Sequence, residues 1–154
     1  MEQFKEYIST QKTFFSSGET RDIKFIRTKL KALKNTIISN EAAIYDALYK
    51  DFKKSKFETY FSEIGILISE IEMTLKYLNK WSTPKKVRSA ALNFPSKDYI
   101  YSEPYGTVLI IAPWNYPFQL AIAPVISAIA AGNTVVLKPS ELTPHTAKII
   151  EVIL

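Results

Sequence analysis

No cysteine occurs anywhere in the 154 residues. That excludes disulfides, thiolate metal sites and a cysteine nucleophile from anything these residues do by themselves. A reducing compartment is allowed, the expected location is cytoplasmic, and no metal site is expected. Glycine is scarce as well, with four in the chain, and no GxGxxG is among them. The usual glycine-rich phosphate turn of a dinucleotide-binding fold is therefore missing. The opening MEQFKEYISTQK carries scattered charges and no apolar core segment, so it does not read as a secretory signal.

Charge is absent from one long stretch, Pro104 to Leu137. It is long enough to cross a bilayer, but its punctuation argues against a span. Pro113, Pro117 and Pro124 break it, Asn115, Gln119 and Asn133 interrupt it, and Gly132 precedes a second β-branched run. Short apolar runs between turn signals fit buried parallel strands instead. Thr107 to Ile111 is expected as a strand buried on both faces. Phe118 to Ala131 comes next as an apolar helix, with Pro124 marking a kink or a late start. Gly132 suits the left-handed residue just past a helix end. Thr134 to Leu137 is the second strand, and Thr143-Pro144 reads as an N-cap with proline at the first helical position.

Lys and Arg number 20 against 15 Asp and Glu, a formal net charge of +5. A basic balance can signal nucleic acid or a membrane surface. Here the positive residues are spread over Lys24, Arg27, Lys29, Lys31 and Lys34, then Lys50, Lys53, Lys54 and Lys56. No nucleic-acid motif frames them, and a solvated helical face is the better reading.

The segment before the apolar stretch is helical in pattern. A first helix reaches about residue 16, and Ser16-Ser17-Gly18 turns the chain. A second helix, about Thr20 to Ser39, places Ile23, Ile26, Leu30, Leu33 and Ile37 on one face. Asn40 is positioned to cap a third helix ending near Tyr49, and Asp51 to Lys54 reads as a charged loop. Ser55 and Glu58 fit a capping box. The long helix they open carries the stripe Phe57, Phe61, Ile64, Ile68, Ile71, Leu75 and Leu78, suited to core or subunit contact, and ends at Trp81. Lys85 to Asn93 reads as a basic linker, and a strand is expected around Tyr99. The fold class is α/β: N-terminal helices, then the first βαβα unit of a Rossmann-like parallel sheet. That sheet is incomplete as it stands, because a parallel sheet needs both faces covered and usually more strands. The expected division is 1–94 for the helical segment and linker, 95–104 for the strand, and 105–154 for the start of the sheet domain.

In open α/β sheets, ligands bind beyond the carboxyl ends of the strands. Two turns lie there. Lys138 closes a strand and Glu141 stands three residues later, so the two could hydrogen-bond a ribose diol from opposite sides. A strand-end charge next to an acidic residue near a helix N-terminus explains them equally well. Asn115 sits between Trp114 and Tyr116 and between two prolines. An amide held that way can serve as an oxyanion donor, although residue type alone favours an ordinary turn asparagine. His145 has no evident partner and reads as a surface residue.

Taken together, PWNYP and, at this spacing, AIAAGNTVVLKPSE resemble the NAD(P)-dependent aldehyde dehydrogenases. FFSSGETRDIKFIRTKLKAL and the long helix ending in Trp81 resemble the start of the class 3, or fatty aldehyde, branch. The resemblance covers essentially the whole chain and implies oxidation of a small-molecule aldehyde to a carboxylate. In that chemistry a cysteine attacks the aldehyde, NAD or NADP accepts the hydride, and a glutamate activates water. It implies that Asn115 stabilises the oxyanion. Lys138 and Glu141 would hold the adenosine ribose, Ile111, Ala112, Pro113 and Trp114 would wall the cofactor cleft, and Tyr116 would line the aldehyde tunnel. The strand near Tyr99 resembles part of a hairpin that helps build a homodimer. The cysteine, the general-base glutamate and the phosphate-contacting loop of that family have no counterpart in these residues, so the chain alone is expected to be inactive.

Overall fold

The computed structural model describes residues 2–154, with side chains from Phe4 onward. Helix α1 (Glu2–Ser16) is followed by a turn at Gly18, whose φ of 78° is left-handed. A 3-10 turn over Glu19–Arg21 precedes α2 (Ile23–Ser39). That start is later than the apolar spacing suggests. Asp22 is extended and its carboxylate accepts from the Lys24 N–H at 2.9 Å, making it the true N-cap. Ile26, Leu30, Leu33 and Ile37 are buried along one face, while Ile23 packs at its margin.

Helix α3 (Glu41–Phe52) overturns two expectations. The Asn40 side chain does not cap it; instead it donates back to the Thr36 carbonyl at 2.8 Å, serving the end of α2. Asp51 and Phe52 are helical rather than loop, and the helix stops where Lys53 turns left-handed at φ 58°.

Ser55 does cap the next helix, accepting from the Glu58 N–H at 3.2 Å. That helix begins as α4 (Lys56–Thr59), passes through a π-turn at Tyr60–Ile64 and continues as α5 (Gly65–Ser82). The π-turn breaks the expected stripe. One extra residue rotates the segment before it by about 100° relative to α5. Phe57 and Phe61 are therefore 80% and 73% exposed, while Thr59 and Glu63 point into the core. Past the turn, Ile64, Leu67, Ile71 and Leu78 are buried as the periodicity requires, with Ile68 and Leu75 half-buried. Gly65 fits the turn because a Cβ there would meet the Tyr60 carbonyl oxygen at 3.1 Å and the Tyr60 ring at 3.4 Å.

The expected basic linker contains a strand. β1 (Lys85–Val87) pairs antiparallel with β2 (Asp98–Ile100), Lys86 opposite Tyr99. Three residues without alternation give no strand signal; only the pairing defines it. The main sheet is β3 (Thr107–Ile111) parallel to β4 (Thr134–Lys138), joined by α6 (Gln119–Ala130) and succeeded by α7 (Pro144–Ile153). β3 is not buried on both faces: Leu109 and Ile111 are 64% and 69% exposed. Helix α6 covers the opposite face with Ile122 and Ile126, which with Phe118 are fully buried, each side chain contributing about 1.5–3 kcal/mol. Pro124 lies inside α6.

The end of α6 takes the left-handed closure that the glycine suggests. Gly132 has φ 83°, its N–H donates to Ile129 O at 2.9 Å, and the Asn133 N–H donates to Ala128 O at 2.9 Å. Asn133 is itself buried. Its Oδ1 accepts from the Gly106 N–H at 2.9 Å and its Nδ2 donates to Ala128 O at 3.2 Å, tying the entry of β3 to the exit of α6. The core is continuous from α2, α3 and α5 through α6 to α7. No helix among the described residues is long and apolar enough to cross a membrane.

Candidate active site and cofactor edge

The register of the parallel pair sets Ile111 opposite Lys138. The two turns that begin after these residues therefore leave the same edge of the sheet side by side. Just beyond the register, the Ala112 N–H donates to Lys138 O at 3.0 Å, extending the pairing into the first turn.

In that turn Trp114 and Tyr116 are 54% and 42% exposed, and Ala112 and Pro117 are buried. Asn115 is exposed, and its amide forms no hydrogen bond with any described residue. Tyr116 has φ 47°, a left-handed conformation that costs a side-chain-bearing residue about 1–3 kcal/mol. This strained residue comes directly after Asn115.

Beneath the turn lies a charged pair that the sequence did not suggest. Glu63, fully buried on the π-turn, accepts from the Lys54 ammonium at 2.5 Å through Oε1. Its Oε2 accepts from the backbone N–H groups of Phe118 and Gln119 at 2.9 and 3.2 Å, at the opening of α6. The Lys54 ammonium also stands over the Tyr116 ring, 4.6 Å from its centroid. Lys54 belongs to the stretch expected as a charged loop, and Glu63 is an exposed position in an uninterrupted α-helical reading. Neither carries a local signal.

In the second turn, Lys138 and Glu141 form an ion pair on the surface. The hydrogen bond from Lys138 is the main reason that the Glu141 carboxyl is held below its ordinary value. Three N–H donors on the ammonium and two carboxylate oxygens leave each partner free valence for a hydroxyl, so the pair fits a vicinal diol. Ser140 is buried between them and accepts from the Leu142 N–H at 3.2 Å.

Local spacing assigns the cap of α7 to Thr143. Thr143 does hold the N-cap position and Pro144 the first helical one, but the Thr143 side chain makes no cap bond, and a side-chain cap comes from elsewhere. Asp51, at the end of α3, accepts from the His145 N–H at 3.3 Å, the Thr146 N–H at 2.8 Å and the Thr146 hydroxyl at 2.7 Å. The His145 side chain itself is exposed. A groove of about 950 Å³ runs along β4 and α7 past Pro139, Ser140 and Glu141, with Phe25 and Lys29 on its other wall. It does not reach Asn115.

The aldehyde dehydrogenase family model matches residues 2–154. The chain is 51% identical over 140 residues to 4,4'-diaponeurosporen-aldehyde dehydrogenase of Staphylococcus aureus, covering 91% of this chain and 30% of that protein. It is 38% identical over 154 residues to the dimeric NADP-preferring aldehyde dehydrogenase of Canis lupus familiaris, covering all of this chain and 34% of that one. Among solved structures, the substrate-bound state of Staphylococcus aureus AldH superimposes with a TM-score of 0.96 at 48% identity, over 98% of this chain and 33% of that one. The chain thus spans about a third of the length of the relatives it matches. Several of those relatives carry family 3 names, in mouse, rat and Arabidopsis thaliana. With the Asn115 turn and the Lys138–Glu141 pair on one sheet edge, and a family match running the length of the described chain, this protein belongs to the aldehyde dehydrogenase family, in its class 3 branch.

Proposed function

We propose that these residues form the N-terminal part of an NAD(P)-dependent aldehyde dehydrogenase that oxidises an aldehyde to a carboxylate. The observation that carries this reading is the strand register, which brings the exposed Asn115 turn and the Lys138–Glu141 ion pair to one edge. Asn115 donates its side-chain N–H to the oxygen of the aldehyde as negative charge develops there, a contribution of about 3–4 kcal/mol to the barrier. Tyr116 lines the aldehyde side of the turn. Lys138 donates to one ribose hydroxyl of the cofactor and Glu141 accepts from the other, while Ile111, Ala112, Pro113 and Trp114 shape the wall between. The bound NAD or NADP supplies the hydride acceptor. The attacking thiolate comes from polypeptide outside these residues, since no cysteine is present here, and by the family resemblance so does the water-activating carboxylate. Glu141 repels a 2′-phosphate and Lys138 attracts one, so the pair by itself admits either cofactor.

The β1–β2 ribbon, with Tyr99 and Ile100 exposed, fits the homodimer contact of the family. The stacked and exposed rings of Phe57 and Phe61, 6.1 Å apart, favour a second reading in which this segment serves as an interaction module without catalysis. The deciding experiment begins with the intact mass of the protein as its source makes it, and then measures NADH or NADPH formation from aldehyde. Aldehyde-dependent reduction by a polypeptide well above 17.6 kDa supports the enzyme. A 17.6 kDa protein whose folding and self-association ignore NAD and NADP supports the module and defeats the enzyme reading. Turnover by these 154 residues alone would overturn the assignment of the nucleophile to other polypeptide.

A further inference from the structure

We infer that Lys54 and Glu63 are positioning residues for Asn115. The inference rests on the oxyanion role proposed above. Three observations converge on it. Among the described residues the Asn115 amide has no hydrogen-bond partner to fix it. The next residue, Tyr116, is held at φ 47°. Beneath the turn, a buried charged pair grips both the Tyr116 side of Asn115 and the opening of α6. Glu63 places one oxygen on Lys54 and the other on the Phe118 and Gln119 N–H groups, and Lys54 lies against the Tyr116 ring.

A carboxylate alone would satisfy the two helix-opening N–H groups. An ammonium alone, half-exposed, would satisfy the ring. Here Glu63 is fully buried and the Lys54 side chain is only 10% exposed, although burying an ion pair is rarely the most stable choice. A buried pair that reaches the strained residue on one side and the first helical turn on the other fixes the turn from both ends. The consequence is a fixed backbone position for Asn115, from which its side-chain amide is presented. An oxyanion donor stabilises the transition state only when it is in place before charge develops.

The test uses the protein as its source makes it, with kcat and KM measured for Lys54→Met, Glu63→Gln, Lys54→Met/Glu63→Gln and Asn115→Ala. Lys54→Met leaves a buried unpaired carboxylate and risks failing to fold. The double variant removes both charges, keeps an amide oxygen for Phe118 and is the decisive one. The expected result is a double variant with recovered thermal stability but a kcat still about 10–100-fold low and KM for the cofactor unchanged. In an Asn115→Ala background the same double variant should cost little further, because the lost function is already gone. Recovery of kcat together with stability, or full additivity with Asn115→Ala, overturns the positioning role alone. An unimpaired Asn115→Ala enzyme, or a wild-type protein without aldehyde oxidation, removes the proposed function and this inference with it.

Discussion

Replacing Asp51 by alanine tests whether α7 is held from a distance. Its carboxylate is the cap of that helix, taking the His145 and Thr146 N–H groups and the Thr146 hydroxyl. Removing a helix cap costs about 1 kcal/mol. Thr146 is fully buried, so its hydroxyl and N–H lose their partner where water does not replace it; an unsatisfied buried group adds about 1–3 kcal/mol. The expected destabilisation of Asp51→Ala is therefore about 2–4 kcal/mol. With a urea m-value of about 2 kcal/mol/M for a chain of this size, the unfolding midpoint should fall by about 1–2 M at unchanged m. Asp51→Asn keeps an acceptor oxygen and loses only the charge–dipole part, about 1 kcal/mol or less. Circular dichroism at the helix band through a urea titration reads both. A midpoint shift below about 0.3 M for Asp51→Ala would refute the account, since it would mean that Ser140 and Thr143 hold the helix locally.

Asn115→Ala in the source-made protein should lower kcat by about 10²–10³-fold with a small change in cofactor KM, read by NADH or NADPH formation. Glu141 is expected to titrate below the ordinary glutamate value of 4.5, and Lys138→Met should return it toward that value, read by carboxyl-carbon NMR. Because its folded value is depressed, whatever the exposed pair contributes is present above the unfolded glutamate value and fades as the pH falls through the folded one. Burial and the Glu41 hydrogen bond push the Tyr45 hydroxyl up to about 12, so Tyr45→Phe should remove a tyrosinate absorbance step at about that pH in an alkaline titration. Gly65→Ala should cost about 1–3 kcal/mol by crowding the π-turn, measured by thermal unfolding.

Much of this fold is legible where the governing contacts are close in sequence. The β-branched runs at Thr107 and Thr134 become the parallel strands, Gly132 takes its left-handed closure, and Ser55 caps its helix through Glu58 three residues on. What escapes is long-range. Asp51 and Thr146 are 95 positions apart and Glu63 and Phe118 are 55 apart, so the grammar of local caps cannot find them. It assigns Asn40 and Thr143 instead, because those residue types stand at the right offsets. The π-turn is hidden for a different reason. Phe57 and Phe61 continue the apolar spacing of α5 without a break, and only the extra residue at Tyr60–Ile64 turns them outward. The candidate site divides in the same way: Asn115, Lys138 and Glu141 are visible as motif residues, while the Lys54–Glu63 pair beneath the first turn and the Asp51 cap after the second are visible only in three dimensions.

Those two hidden carboxylates play one part twice. Each βα connection of the sheet ends in a helix, and each helix opens on a carboxylate supplied by the N-terminal segment: Glu63 for α6 and Asp51 for α7. A helix N-terminus carries the positive end of a dipole and is the ordinary place for a phosphate in a dinucleotide-binding fold. Here both such ends are already taken by negative charge, which agrees with the missing GxGxxG and leaves neither first turn open to a phosphate. The N-terminal helices are then an anchor for the site-bearing loops as well as a neighbouring layer. Residues 95–154 produced without them should therefore show α6 and α7 frayed at their first turns, with fast amide exchange at Phe118, Gln119 and Thr146. Adding residues 1–94 in trans should slow exchange at those three amides together. Protection of all three in the shorter piece by itself would show that the caps are dispensable and that the two helices hold their own ends.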